Sequence, residues 1–142
     1  MVHATVESAT GRRSISKSRR WAGRIIGGWL VLFLAFDAAV KVLQLNVAVE
    51  GTTRLGYPAH LVVILGIVEL VCLVAYVVPR MSIAGAILLT GYLGGATATQ
   101  VRVENPWFIL PVALGGLMWA ALWLRDPGVG WLLFERSDNP SW

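Results

Sequence analysis

Apolar residues are concentrated in four long segments of the chain, separated by shorter polar stretches. These segments cover residues 21–41, 59–78, 82–100 and 107–124. A helix needs about twenty mostly apolar residues to cross the hydrocarbon core of a bilayer, and each segment is close to that length. The pattern therefore predicts an all-α protein, a four-transmembrane-helix bundle whose two termini lie on the same side of the membrane.

The tails and the longest connection lack this apolar pattern. Residues 1–20 are basic and rich in small polar side chains, which predicts a disordered tail. Residues 127–142 are expected to form a second tail, and residues 21–126 the single membrane domain between the two. The connection 42–58 contains two glycines and ends in a proline, so we expect an extended or interfacial stretch there.

Small residues recur at helical spacing in the first and third segments. Gly23 and Gly27 form a G-x-x-x-G pattern, which allows close approach of another helix, although two scattered small residues would give the same pattern. The third segment carries Gly91 and Gly95 and a small residue at every fourth position, which predicts a central, tightly packed helix. The residues of this second pattern are Ser82, Ala86, Thr90, Gly94 and Ala98.

The composition agrees with a membrane protein. The chain is 56% hydrophobic and 14% charged, whereas soluble domains carry about 25% charged residues. Its mean hydropathy is +0.67. The net charge of +4 comes from basic residues that cluster beside the first apolar segment, so it does not indicate a nucleic-acid partner.

The distribution of Lys and Arg residues predicts the orientation of the bundle. With four spans, nine of the twelve fall on the side of the termini and three on the opposite side. Positive residues favour the cytoplasmic side, so both termini are predicted to be cytoplasmic. The nine are Arg12, Arg13, Lys17, Arg19, Arg20, Arg24, Arg80, Arg125 and Arg136, and the three are Lys41, Arg54 and Arg102.

One carboxylate lies near the middle of a predicted span. Glu69 is the eleventh residue of the second segment, where a charged group is costly unless it faces protein or a wet cavity. The other polar residues of the spans fall at a similar depth, so we expect a shared cavity in the outer half of the bundle, covered by the 42–58 connection. In it Lys41 and Arg102 would balance Asp37 and Glu69. The candidate ligand-binding residues are Asp37, Lys41, Glu69, Tyr92, Gln100 and Arg102.

A purely structural role for these residues is the alternative interpretation, because buried ion pairs and hydrogen bonds can simply fix helix register. The chain has no recognisable catalytic motif, and no catalytic residue is predicted. Two histidines and the single Cys72 make a metal site unlikely by composition, and Cys72 is interpreted as a packing residue.

Four stretches of the sequence carry a resemblance to a known family. They are FDAAVKVL at 36–43, LGYP at 55–58, GIVELVCLVAYVVPR at 66–80 and GYLGGATATQVR at 91–102. Together they resemble the DoxX-like family of small bacterial membrane proteins. The resemblance implies a four-helix bundle in the bacterial inner membrane. The polar residues that match the family by position are Asp37, Lys41, Glu69, Tyr92 and Arg102.

The family takes its name from subunits of a quinone-linked oxidoreductase. Relatives commonly have histidine where Gln100 stands in this chain. Glutamine does not titrate near neutral pH and is a poor metal ligand, but its amide can still form a hydrogen bond to a carbonyl such as a quinone oxygen.

These observations support three functional hypotheses. The first is a quinone- or lipid-binding subunit that has no covalent cofactor and no catalytic activity of its own and receives electrons from a membrane-associated oxidoreductase. The second is a non-catalytic structural or assembly protein. The third is a proton or small-solute carrier that uses Glu69. The sequence has no evident inverted repeat, which makes a carrier the least favoured of the three. The ligand, the partner proteins and the oligomeric state, a homo-oligomer included, stay open.

Overall fold

All regular structure in the described part of the chain is helical. The computed structural model describes residues 17–125 and Val129. The helices are α1 (Lys17–Val42), α2 (Asn46–Arg54), α3 (Leu61–Val77), α4 (Ser82–Arg102) and α5 (Ile109–Arg125), and a 3-10 helix (Pro106–Phe108) leads into α5. Residues 1–16 and most of the predicted C-terminal tail lie outside the described residues.

Three helical stretches are long and apolar enough to cross a membrane: α1, α4 and the continuous stretch Pro106–Arg125. Helix α3 is apolar but has 17 residues, and at about 1.5 Å per residue it is roughly 26 Å long. Large apolar side chains cover the outside of the helices. Ile25, Leu32 and Phe36 are 65%, 73% and 70% exposed along one face of α1, as expected for a surface in contact with lipid.

Each of the four long helices packs against two neighbours. Helices α1 and α4 both contact α3 and α5, so the four surround a common core. The core is apolar, and Cys72 is buried within it as predicted. Its fully buried large side chains include Leu30, Leu34, Tyr76, Leu89 and Met118.

Glycines mark the positions where helices approach most closely. A Cβ on Gly23 would lie 2.8 Å from Leu124 Cβ, and one on Gly27 would lie 3.6 Å from Ala121 Cβ, so both face α5. The close approach predicted for this G-x-x-x-G pattern is therefore present. A Cβ on Gly85 would overlap the backbone of Tyr76, which makes the contact between α4 and α3 dependent on glycine.

The tight packing predicted for α4 is present at Ala86, which is fully buried in the core, but it is wrong for the small residues further along the helix. A Cβ on Gly91, Gly94 or Gly95 would meet nothing within 4 Å, and Ala98 is exposed. The reason is geometric. A repeat of four residues advances about 40° around a helix with 3.6 residues per turn, so the small residues wind away from the interface.

The connection between the first two apolar segments is mostly helical, not extended. Helix α1 ends in two hydrogen bonds, from Gln44 N to Lys41 O and from Leu45 N to Val40 O, with Gln44 in a left-handed conformation (φ 51°). This Schellman-type end usually uses glycine, so the sequence did not indicate it. The chain then enters α2, which begins at Asn46.

Helix α1 also begins earlier than predicted. It starts at Lys17, four residues before the expected boundary at Trp21. Residues 17–20 are basic and exposed, and Lys and Arg are good helix formers, so an established helix extends through them at little cost.

Candidate ligand-binding cavity

Lys41 is the centre of a polar cluster between three helices. Its Nζ donates hydrogen bonds to Asp37 Oδ2 (2.5 Å), to Glu69 Oε2 (2.8 Å) and to Tyr92 Oη (3.0 Å). An ammonium group has three donors, so all three are used. Tyr92 Oη in turn donates to Glu69 Oε2 at 2.9 Å. The cluster thus joins α1, α3 and α4 through charge-assisted hydrogen bonds.

A glycine on α3 allows this cluster to form. A Cβ on Gly66 would lie 2.8 Å from Lys41 Cβ and 3.0 Å from Ala38 O, so the two helices touch at this point. Gly66 precedes Glu69 by three residues and therefore lies on the same face, almost one turn away. The close approach lets the Lys41 side chain reach the carboxylate across the interface.

The cluster borders a cavity of about 420 Å³. Five of the six predicted site residues line this cavity: Asp37, Lys41, Glu69, Tyr92 and Gln100. Its other walls are largely apolar and include Phe33, Leu65, Leu110, Pro111 and Leu114. Pockets for small ligands commonly combine such apolar walls with a few convergent polar groups.

The connection after α1 covers the cavity, as predicted. Thr52 of α2 and Leu55 and Tyr57 from the chain after it line the cavity. Tyr57 Oη lies 2.9 Å from Thr99 Oγ1 of α4, within hydrogen-bond distance. Sequence reasoning missed Tyr57, although it is the only aromatic residue of the 42–58 connection and its hydroxyl needs a polar partner when partly buried.

Arg102 does not line the cavity, and its predicted role as a counter-charge is wrong. The residue is exposed, and its Nη2 donates to the backbone oxygen of Leu55 at 2.9 Å. Arg102 is the last residue of α4, so its long side chain can extend past the helix end to the neighbouring connection. The cluster therefore holds one cation and two carboxyl groups, and not the predicted two cations and two carboxyl groups.

The members of the cluster differ in their exposure to solvent. The Glu69 side chain is 0% exposed, Lys41 is 17% exposed and Asp37 is 44% exposed. Glu69 is therefore the most deeply buried of the three. Two buried oxygens, Glu69 Oε1 and Gln100 Oε1, have no hydrogen-bond partner among the described residues. An unpaired buried acceptor costs about 1–3 kcal/mol, which is unusual for a site whose only purpose is stability.

The fold and the cluster together define a class of protein. This is an all-helical membrane protein in contact with the lipid bilayer, with a buried ionic cluster at one end of an apolar cavity. The profile of the DoxX-like family matches residues 25–121, and the chain belongs to that family. No curated protein and no solved structure is significantly similar to the chain.

Proposed function

We propose that this protein is a four-span subunit of the bacterial inner membrane that binds a quinone, or a lipid with a similar polar head, in the cavity beside Lys41. The observation that carries the proposal is the junction of an apolar cavity with a polar cluster contributed by three helices. An amphiphile has a long apolar part, which suits the apolar walls, and a hydrogen-bonding head, which suits the polar cluster.

The residues that line the cavity fit a quinone head group. The Lys41 ammonium and the Gln100 amide can each donate to a carbonyl oxygen, and the unpaired Gln100 Oε1 can accept from a ligand hydroxyl. The Tyr92 hydroxyl stays engaged with Glu69 and helps to hold Lys41 in position. A bound quinone would supply two-electron redox chemistry, with electrons delivered by a membrane-associated oxidoreductase as partner.

The proposal includes four spans with both termini in the cytoplasm. Helix α3 is at the lower length limit for a span, but Val78 extends its apolar stretch at one end, and Ala59 lies beyond His60 at the other. The distribution of nine basic residues against three supports the orientation. In that orientation the Lys41 cluster lies in the outer half of the membrane.

A structural or assembly role is the second candidate, and one observation favours it. All three donors of Lys41 are already used by protein groups, and the Glu69 side chain is fully buried. Such a cluster can fix the register of three helices without binding anything. The experiment must therefore separate filling of the cavity from loss of stability.

Two adjacent glycines of α4 allow filling of the cavity to be distinguished from loss of stability. Gly95 lines the cavity and Gly94 does not, and a Cβ on either would meet nothing within 4 Å. Gly95→Leu should fill part of the cavity without forcing helices apart, while Gly94→Leu adds the same side chain outside the cavity. Both variants are expected to keep a melting temperature close to that of the wild type.

The measurement is extraction of quinones and lipids from protein purified with its surrounding membrane lipid, followed by chromatography and mass spectrometry. We expect quinone at close to one per chain in the wild type and in Gly94→Leu, and a severalfold lower content in Gly95→Leu. A wild-type protein that carries no quinone or specific lipid would favour the structural role. So would equal content in the two variants.

A further inference from the structure

Three arginines meet at the opposite end of the molecule from Lys41. Arg20 and Arg24 belong to the start of α1, and Arg125 is the last residue of α5. They line a surface depression of about 370 Å³, to which no other described residue contributes. Arg20 and Lys41 are 21 residues apart on one helix, which separates the two sites by roughly 32 Å at about 1.5 Å per residue.

The close contact between α1 and α5 brings these side chains together. Arg20 and Arg24 are four residues apart and so lie on one face of α1. Gly23 lies against Leu124, directly before Arg125, and a Cβ on Gly27 would lie 3.2 Å from Arg125 Nη1. The Arg125 side chain therefore lies along the glycine face of α1, and its guanidinium group is 5.9 Å from the centre of the Tyr76 ring.

The depression has a concentrated positive charge. None of the three guanidinium groups forms an ion pair with a described carboxylate. The carbonyls at the end of α5 offer only about half a negative charge, against three positive ones. Three positive charges around one depression repel one another, so the arrangement is favoured when an anion binds there.

We propose that this depression binds a phosphate group, supplied by the head group of an anionic membrane lipid. Guanidinium groups form paired, charge-assisted hydrogen bonds with phosphate oxygens, and three arginine side chains line this depression. The depression lies at the end of the apolar helices, at the depth where lipid head groups occur. Trp21 and Trp123 are 62% and 43% exposed near the same end, as expected for residues at the membrane interface.

The test compares two triple variants with the same loss of charge. Arg20→Gln, Arg24→Gln and Arg125→Gln together remove the depression's charges. In the control variant, Lys17→Gln, Arg19→Gln and Arg80→Gln together remove three positive charges at described positions that do not line the depression. Each purified full-length protein is placed in bilayers of phosphatidylcholine containing one-fifth phosphatidylglycerol, and the lipid retained is measured by native mass spectrometry.

We expect the wild type and the control variant to retain phosphatidylglycerol in preference to phosphatidylcholine. The depression variant should lose about tenfold of that preference, because each charge-assisted hydrogen bond contributes substantially to binding. Equal loss in both triple variants would overturn the proposal, since it would indicate an effect of net charge alone. Retention of the preference in the depression variant would overturn it as well.

A second arm identifies the source of the phosphate group. Inorganic phosphate at millimolar concentration should not displace the lipid, because the lipid is held at the membrane surface by its acyl chains. Displacement with an unchanged number of bound phosphate groups would assign the depression to free phosphate and overturn the lipid assignment. If the triple variant does not fold, Arg24→Gln alone, at an exposed position, should still lower the preference severalfold.

Discussion

At the scale of single residues, Lys41 contributes most to the stability of the cluster. It is the only cation within hydrogen-bond distance of Asp37 and Glu69 among the described residues. Removing one partner of a buried ion pair leaves an uncompensated charge, which is more costly than the pair itself is favourable. The cluster should therefore respond very unequally to substitution of its members.

Lys41→Met keeps most of the length of the side chain and removes its charge. We expect a loss of about 3–5 kcal/mol in the free energy of unfolding, because Glu69 would stay buried without a cation. The measurement is reversible unfolding in detergent, monitored by circular dichroism. Combining Lys41→Met with Glu69→Gln should recover part of the loss, and a double variant less stable than Lys41→Met would contradict this account.

The sequence could predict most of this cluster because buried charge is expensive. Asp37, Lys41, Glu69 and Tyr92 all lie at similar depth in apolar segments, and each needed a partner. It could not predict where Arg102 would point. A residue at a helix end can reach a backbone oxygen as easily as a carboxylate, and the choice depends on where the connection before α3 lies.

At the scale of helices, the positions of close approach decide the shape of the bundle. The four apolar segments correspond to α1, α3, α4 and α5 with ends shifted by a few residues, because hydrophobic length is easily recognised in a sequence. The face that each helix turns towards its neighbours is harder to predict. Glycines are frequent on α4, and only contact with α3 distinguishes Gly85 from those that border open space.

Gly85→Ala tests this distinction. A methyl group on Gly85 would overlap the backbone of Tyr76, so α3 and α4 must separate, and overpacking of this kind costs about 1–3 kcal/mol. Gly94→Ala adds the same group to open space and should be neutral or slightly stabilising, because alanine favours helix over glycine by about 1 kcal/mol. Thermal unfolding of both variants in the same detergent provides the comparison, and equal melting temperatures would mean that α4 does not touch α3 at Gly85.

At the scale of the whole molecule, the orientation in the membrane decides which end of the bundle faces the cytoplasm and which end faces the outside. The Lys41 cluster and the three-arginine depression lie at opposite ends of α1. The positive-inside rule predicts that the arginines lie on the cytoplasmic side. This assignment depends on an even number of spans, and therefore on α3 crossing the bilayer.

Cysteine labelling of intact cells checks the orientation. Cys72 is first replaced by serine, and a cysteine is then introduced by Ser141→Cys or Glu104→Cys. A reagent that does not cross the inner membrane should label the Glu104→Cys protein from outside, and the Ser141→Cys protein only after the membrane is opened. The reverse pattern would mean that the bundle is inverted or that α3 does not cross the bilayer, and labelling of both from outside would mean that α5 does not cross it.

The complete use of the Lys41 donors means that ligand binding at this ammonium is an exchange reaction. A ligand carbonyl can bind Lys41 only by displacing one of its three present acceptors. Asp37 is the acceptor that is released most easily, because its 44% exposed side chain can return to polar surroundings while Glu69 cannot. The affinity of the cavity is then governed by competition with a group of the protein itself.

Asp37→Asn weakens the competitor, since a neutral acceptor forms a hydrogen bond about half as strong as a charged one. The variant should bind a quinone several times more tightly than the wild type in an equilibrium titration, while Asp37→Glu should not. A lower affinity in Asp37→Asn would instead identify Asp37 as a direct ligand contact.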